Sequence, residues 1–138
     1  MRMPPPSTIT GQIRVLIADD SEAMLSRASA VLKPNCEIVG AVKDGQSALK
    51  AAAALQPDVI VLDISMPGMT GLEVAAKLRK AGSTTPVVFL TVHDDEEFVE
   101  AATKAGGTGY VVKLRLAVDL MLAVQEARAG RSFVSAVS

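Results

Sequence analysis

The feature that most restricts the fold of this chain is an alternation, repeated five times, of a short apolar stretch and a helix-forming stretch. The predicted strands are residues 13–18, 37–42, 59–63, 86–91 and 110–112, and the predicted helices are residues 22–33, 44–55, 72–80, 94–105 and 116–129. Strands that alternate with helices in this way favour an α/β fold built on a parallel sheet. We therefore predict a five-stranded parallel sheet that is doubly wound, with helices on both faces.

The length of 138 residues fits a single domain with a substantial core. Cys36 is the only cysteine, which excludes a disulfide framework and a cysteine-based metal site and favours a reducing, cytoplasmic setting. No apolar run approaches the roughly eighteen residues of a membrane span. The formal net charge of −1 argues against a nucleic-acid interface built on positive charge. We therefore expect no contact with a membrane.

Asp63 ends the most apolar of the predicted strands. The four residues before it, 59–62, are all apolar, as expected of a strand that is buried on both faces. Ligands bind in the crevice at the carboxyl ends of the strands in an open parallel sheet, so this acid lies where a functional site is expected. The alternative is that Asp63 only caps the turn formed by Pro67 and Gly68.

Three other predicted strands also lead into polar side chains. Asp19 and Asp20 follow the first strand, Thr91 ends the fourth, and Lys113 follows the fifth. We expect these side chains and Asp63 to converge on one crevice. Grouped carboxylates need a counter-charge, which either Lys113 or a bound cation can supply. Carboxylate oxygens suit Mg²⁺, which prefers one or two carboxylates together with a phosphate oxygen.

A site of this kind suits phosphoryl transfer to a carboxylate. With a metal ion to neutralise the phosphate oxygens, Asp63 can act as a nucleophile and form an aspartyl phosphate. The Thr91 hydroxyl and the Lys113 ammonium would then bind the remaining phosphoryl oxygens.

Taken together, the strand-end motifs resemble those of the response-regulator receiver domains of two-component signalling. They are Ala-Asp-Asp at 18–20, Leu-Asp-Ile-Ser-Met-Pro-Gly at 62–68, Leu-Thr at 90–91 and Gly-Tyr-Val-Val-Lys at 109–113. The resemblance covers about residues 13–130 and implies a flavodoxin-like receiver fold. It implies a signalling phosphoacceptor that catalyses only its own phosphorylation and dephosphorylation, and is otherwise no enzyme.

The resemblance also implies a role for each matching residue. Asp63 would accept a phosphoryl group from a sensor histidine kinase. The implied Mg²⁺ ligands are Asp19, Asp20, Asp63 and the backbone carbonyl of Ser65. The implied switch residues are Thr91, Tyr110 and Lys113.

The expected domain boundaries follow from the same resemblance and, at the N-terminus, from composition. Residues 1–11, which contain three consecutive prolines, would form a flexible leader, and residues 12–130 the receiver domain. Residues 131–138 would form a C-terminal tail or the start of a linker. This tail resembles the boundary in NarL/FixJ-type regulators, where a linker leads to a LuxR-type helix-turn-helix domain. Control of transcription is thus the implied output, with DNA contacted only through an output domain that residues 1–138 do not contain. The alternative is an isolated receiver domain.

Two positions depart from the family's pattern. Leu114 follows Lys113 where many receivers have proline, so a cis Lys-Pro bond cannot shape this loop. Val92 follows Thr91 where the family often has a smaller residue, and it is expected to narrow access to the phosphoryl group.

The sequence argues against other functions for these polar residues. A Mg²⁺-dependent phosphatase of the haloacid-dehalogenase type needs an acid two residues after the nucleophile, and that position holds Ser65. A flavodoxin-like cofactor binder needs a phosphate-cradling loop after the first strand, whereas residues 19–22 are mostly acidic. Glu73 is predicted on a solvated helix face, and His93 has no partners for a metal site.

The last predicted helix has two apolar sides. The side that would dock on the sheet consists of Leu116, Leu120, Ala123, Val124 and Ala127. A second stripe, Val118, Met121 and Leu122, would remain exposed in a monomer. We expect a homodimer that pairs this stripe with its own copy. The alternative is that these are ordinary scattered surface residues without a partner.

Overall fold

A parallel sheet of six strands forms the centre of the computed structural model, which describes residues 12–92 and 96–135. The strands are β1 (Ile13–Ala18), β2 (Cys36–Val42), β3 (Val59–Asp63), β4 (Val87–Thr91), β5 (Gly109–Val112) and β6 (Phe133–Val134). The helices are α1 (Glu22–Leu32), α2 (Gly45–Leu55), α3 (Gly71–Lys80), α4 (Glu96–Lys104) and α5 (Leu116–Arg128), with a short 3₁₀ helix at Lys113–Arg115. The predicted α/β fold with a parallel sheet is confirmed. The predicted start of the fourth helix, at residues 94–95, lies outside the described residues.

The order of the strands places Asp63 at a ligand-binding position. All paired strands are parallel, in the order β2-β1-β3-β4-β5-β6. From β1 the chain proceeds to β2 on one side and then crosses to β3 on the other. The carboxyl ends of β1 and β3 therefore flank the crevice at which doubly wound sheets bind ligands. Asp63 is the last residue of β3.

Two apolar layers cover the faces of the sheet. On one face, α1 and α5 pack over Val15 and Val61, and on the other, α2, α3 and α4 pack over Leu16 and Leu62. Neighbouring residues of a strand point to opposite faces, so every position of a strand covered on both sides is buried. This explains why all five residues of β3 are buried and why its sequence is continuously apolar up to Asp63.

Polar caps fix the starts of three helices around the carboxyl ends of the strands. Ser21 caps α1, where its hydroxyl accepts a backbone N–H at 3.3 Å, and Asp44 caps α2, where its carboxylate accepts one at 2.7 Å. At α3, Thr70 and Glu73 form a capping box, in which each side chain accepts the backbone N–H of the other residue. Glu73 is exposed, as predicted, and its contacts are those of a helix cap.

β6 adds a sixth strand to the five that the sequence predicts. Phe133 and Val134 lie in the segment predicted to be a tail or linker, and they pair in parallel with Gly109 and Tyr110 of β5. Two apolar residues are too few to show the alternation by which a strand is recognised. The structure therefore places residues 131–135 at the edge of the sheet.

Candidate functional site

The predicted convergence of strand ends is present in the structure. The Lys113 ammonium lies 3.0 Å from Asp19 Oδ2 and 3.3 Å from Asp63 Oδ1, so one lysine bridges the ends of β1 and β3. Thr91, the last residue of β4, is buried and lies in register with Val112, directly before Lys113. The ends of four parallel strands thus contribute to one small region.

Three carboxylates form an acidic pocket at this point. Asp19, Asp20 and Asp63 each offer an oxygen that lies within 4.8 Å of the others. Asp19 and Asp63 are 0% and 1% exposed, whereas Asp20 faces solvent. Removing a carboxylate from water is unfavourable unless it is paired or hydrogen-bonded, so this grouping holds electrostatic free energy that a cation would relieve.

Backbone donors orient the two buried acids. The Ser21 N–H donates to Asp19 Oδ1 at 2.9 Å, and the Ser65 N–H donates to Asp63 Oδ1 at 3.1 Å. The other oxygen of each acid, Oδ2, is buried and accepts no hydrogen bond from the residues that the structure describes. On Asp19 this oxygen has the ionic contact with Lys113, whereas Asp63 Oδ2 has neither a donor nor that contact.

This arrangement shifts two pKa values. Burial, reinforced by the negative charge of Asp19, raises the pKa of Asp63 to about 6, although Lys113 and the Ser65 N–H oppose the change. Burial by itself would lower the pKa of Lys113, but the contacts with Asp19 and Asp63 outweigh it, and the pKa is raised. At neutral pH the site therefore contains a charged lysine next to Asp63, whose anionic form is disfavoured by burial.

These observations test whether the pocket fits a divalent cation. Three carboxylates share it, and two buried oxygens accept no hydrogen bond. A hard cation with oxygen ligands would satisfy such atoms. The acidic residues present therefore fit a metal site of the kind predicted.

Gly71 holds the loop after β3 in place, a role that sequence analysis missed. Its N–H donates to the Ile64 carbonyl at 2.8 Å, and a Cβ at this position would lie 2.2 Å from the Asp63 carbonyl oxygen. Only glycine allows the start of α3 to approach the backbone of Asp63 so closely. The predicted helix at residues 72–80 leaves Gly71 in the preceding loop, and nothing in the sequence pattern specifies this long-range approach.

Tyr110 is buried, whereas Leu114 and Val92, the two departures from the family's pattern, are exposed. Tyr110 is 3% exposed and packs under α4, near Val99, so its side chain already lies inside the protein. Leu114, within the 3₁₀ helix, and Val92 are 93% and 70% exposed, and each directly follows a residue of the site. His93, for which the sequence predicts no metal site, lies outside the described residues.

The last helix docks as predicted but differs at one residue of its second stripe. The five residues predicted to face the sheet are buried, namely Leu116, Leu120, Ala123, Val124 and Ala127. Val118 and Leu122 are exposed, at 69% and 46%. Met121 is half-buried, packs against the core and accepts a weak hydrogen bond from the Cys36 thiol at 3.8 Å. The exposed apolar stripe of α5 therefore lacks Met121.

Cys36 is buried among the apolar residues of the core. Burial raises the pKa of its thiol to about 11, so the thiol is protonated at neutral pH.

No helix among residues 12–92 and 96–135 is both long enough and apolar enough to cross a membrane.

Comparison with known proteins agrees with this geometry. The chain is 34% identical over 123 residues to the nitrate/nitrite response regulator protein NarL of Escherichia coli (strain K12), covering 88% of this chain and 57% of that protein. It is 32% identical over 125 residues to the response regulator GacA of Pseudomonas viridiflava, covering 89% of this chain and 58% of that protein. The chain thus spans a little over half the length of these curated relatives.

A solved structure has the same fold. It is a DNA-binding response regulator of the LuxR family from Staphylococcus aureus, with a TM-score of 0.78 and 30% identity, covering 84% of this chain and 98% of that chain. Residues 15–125 match the response regulator receiver domain family. The match spans four of the strand ends that build the acidic pocket, from Asp19 to Lys113. The chain belongs to the response regulator receiver domain family and is the receiver domain of a two-component response regulator.

Proposed function

We propose that this domain accepts a phosphoryl group from a sensor histidine kinase onto Asp63 and passes the signal on as a change of conformation. The observation that carries the proposal is the geometry of Asp63, whose Oδ1 is held by Ser65 and Lys113 while Oδ2 is left without a donor. In the transfer, a bond forms between Oδ2 and phosphorus as the bond from phosphorus to the histidine nitrogen breaks. This reaction needs no general acid at position 65, whereas the alternative phosphatase reaction would need one there, and Ser65 is not an acid.

Mg²⁺ is the cofactor that we assign to the acidic pocket. The proposed ligands are Asp19, Asp20, Asp63 and the backbone carbonyl of Ser65. When bound, the ion supplies positive charge that offsets the incoming phosphoryl oxygens. Asp19 and Asp20 would hold the ion, and the Ser21 N–H fixes the orientation of the Asp19 carboxylate.

Lys113 and Thr91 would bind the oxygens of the transferred group. Lys113 lies within 3.3 Å of Asp63, so its ammonium is within reach of a phosphoryl oxygen on that residue. The Thr91 hydroxyl would bind another of these oxygens and, with Tyr110, carry the switch to α4. Because Tyr110 is already buried, we expect the response to repack the side chains under α4.

Phosphorylation with a small donor tests the proposal. Acetyl phosphate with Mg²⁺ is expected to add one phosphoryl group at Asp63, detected by intact mass and located by peptide mapping. Asp63→Asn is expected to abolish the adduct, whereas the matched control Asp44→Asn, which keeps a good helix cap, is expected to retain it. An adduct that persists in Asp63→Asn, or that forms equally well in EDTA, would refute the assignment.

Thr91→Ala separates phosphorylation from switching. This variant is expected to accept the phosphoryl group yet to show smaller amide chemical-shift changes in residues 99–105 than the parent protein. If the changes in the two proteins are the same, Thr91 does not couple the site to α4.

We also propose that the output is transcription and that the domain dimerises through α5. The relatives include a DNA-binding response regulator, and DNA would be contacted through a further domain of the cytoplasmic regulator. Val118 and Leu122 supply the exposed part of the predicted face Val118, Met121 and Leu122. Sedimentation of the phosphorylated protein is expected to show a dimer that Val118→Glu weakens. A monomer at high concentration in every state would exclude this interface.

A further inference from the structure

A short segment at the end of the described chain is bound to the edge of the sheet next to the proposed switch. We call residues 131–135 the edge strap. Its strand β6 lies against β5, where the Phe133 N–H donates to the Thr108 carbonyl at 3.2 Å and the Ser135 N–H donates to the Tyr110 carbonyl at 2.9 Å. Phe133 packs against the core on the α5 side, and Val134 is half exposed.

Side-chain hydrogen bonds hold the end of this strap, and we call the contacts of Ser135 with Val112 and Asp119 the lock. The Ser135 hydroxyl accepts the Val112 N–H at 3.1 Å and donates to Asp119 Oδ2 at 2.8 Å. Arg115 donates to the same carboxylate through Nε at 2.8 Å and through a terminal nitrogen at 3.3 Å. Ser135 and Asp119 are only 2% and 6% exposed, so the bonds of Ser135 to Val112 and Asp119 lie inside the protein, whereas Arg115 is partly exposed.

The lock determines whether the strap stays on the sheet. A strand of two residues is too short to be held by backbone pairing alone, because typical strands have at least three residues. Without Ser135, the buried Val112 N–H would lose its acceptor, which is unfavourable inside the protein, and Asp119 Oδ2 would keep only the hydrogen bond from Arg115. Attachment of the strap therefore depends on Asp119 and Ser135 more than on β6 itself.

The lock and the acidic pocket are connected by a few consecutive residues of the chain. The 3₁₀ helix begins at Lys113, which contacts Asp19 and Asp63, and ends at Arg115, which contacts Asp119. Val112, whose N–H reaches Ser135, directly precedes this helix. Lys113 is thus at most two residues away in the chain from Val112 and Arg115, both of which bond to the lock, and its displacement would act on both.

We infer that the edge strap responds to the state of Asp63: it is docked while Lys113 bridges Asp19 and Asp63, and it is loosened when a phosphoryl group on Asp63 draws Lys113 away. This inference rests on the proposed function. Movement of Lys113 shifts the end of β5 and the 3₁₀ helix, which carry the partners of Ser135. By linkage, loosening the strap must in turn favour the phosphorylated form.

Amide hydrogen exchange in the presence of beryllofluoride and Mg²⁺, which mimic the phosphoryl group, tests the inference. The reporters are the amides of Val112 and Ser135, both bonded within the strap's contacts. Their protection is expected to fall by about tenfold, within the range of typical coupling between two sites. The amide of Val61 in β3 serves as an internal control and is expected to keep its protection.

Two serine variants test the reverse direction of the coupling. Ser135→Ala removes the lock and is expected to raise the affinity for beryllofluoride by about fivefold, while Ser132→Ala, an exposed serine of the same strap, leaves it unchanged. Equal affinities in these two variants would overturn the inference.

The outcomes also separate this inference from the proposed function. If the amides of Ser65 and Thr91 shift with beryllofluoride but Val112 and Ser135 keep their protection, the strap is not coupled and the phosphoacceptor assignment stands. If no amide around Asp63 responds at all, both are wrong.

Discussion

Two buried carboxylates, each with a basic partner, lie near opposite ends of the 3₁₀ helix, and they have opposite properties. Asp119 has both oxygens bonded, to Arg115 and Ser135, and the hydrogen bond from Arg115 holds its pKa below the ordinary value despite burial. Asp63 has one oxygen without a donor and another acid beside it, and its pKa is raised to about 6. A fully satisfied acid stabilises the fold, whereas an incompletely satisfied one is available for chemistry.

The largest expected effect of this difference is on phosphorylation. Asp63→Asn is expected to abolish phosphorylation by acetyl phosphate, because the amide is not a nucleophile. Asp119→Asn is expected to keep phosphorylation, or to raise it by up to about fivefold because the edge strap is loosened. Phosphorylated protein can be quantified by intact mass over time. A loss of the adduct in both variants would mean that the two acids do not differ in the way described.

Stability should change in opposite directions in the same two variants. In metal-free buffer at pH 7, Asp63→Asn is expected to raise the free energy of unfolding by about 1–2 kcal/mol, because a buried anion disappears. Asp119→Asn is expected to lower it by about 1–3 kcal/mol, because the hydrogen bonds with Arg115 and Ser135 weaken. Urea denaturation measures both. Destabilisation by Asp63→Asn would show that Lys113 compensates its charge completely.

Mg²⁺ should stabilise the protein only through the acidic pocket. At saturating Mg²⁺ we expect a gain of about 1–3 kcal/mol in the free energy of unfolding of the parent protein. Asp20→Asn is expected to remove most of this gain and, because Asp20 is exposed, to alter the metal-free protein little. Asp119→Asn should keep the full gain. Thermal denaturation with Mg²⁺ or EDTA tests the contrast, and an equal gain in Asp20→Asn would exclude that ligand.

The smallest expected effect is on the pH dependence of stability. Because the pKa of Asp63 is raised in the folded protein, ionisation of Asp63 lowers the free energy of unfolding. This loss is absent below the ordinary pKa of 3.8 and complete above about pH 6. The lowered pKa of Asp119 means that its contribution is present above its ordinary pKa and is lost as the pH falls through the lower, folded value.

Urea denaturation in EDTA at several pH values can separate the contributions of Asp63 and Asp119 to the pH dependence of the free energy of unfolding. From about pH 4 to about pH 6 the parent protein is expected to lose stability relative to Asp63→Asn, by about 1 kcal/mol or more. Over the same interval its difference from Asp119→Asn should stay nearly constant. A flat difference for Asp63→Asn would contradict the raised pKa.

The same comparison shows what sequence can predict. The positions of Asp19, Asp63, Thr91 and Lys113 follow from topology, because the carboxyl ends of parallel strands must meet at one edge. The contact between Asp119 and Ser135 joins a helix to a strand of two residues, and no periodic pattern predicts that docking. The half-burial of Met121 likewise depends on its packing against Cys36, which lies 85 positions earlier.

Gly71 shows that the geometry of a reactive site can depend on a missing side chain. α3 begins so near the Asp63 backbone that a single methyl group has no space, although Gly71 has no functional group and makes no contact that chemistry requires. In a saturation-mutagenesis screen scored by phosphorylation, we expect position 71 to be nearly as intolerant as a reacting residue. Intolerance in such a screen is therefore not proof that a residue takes part in the reaction.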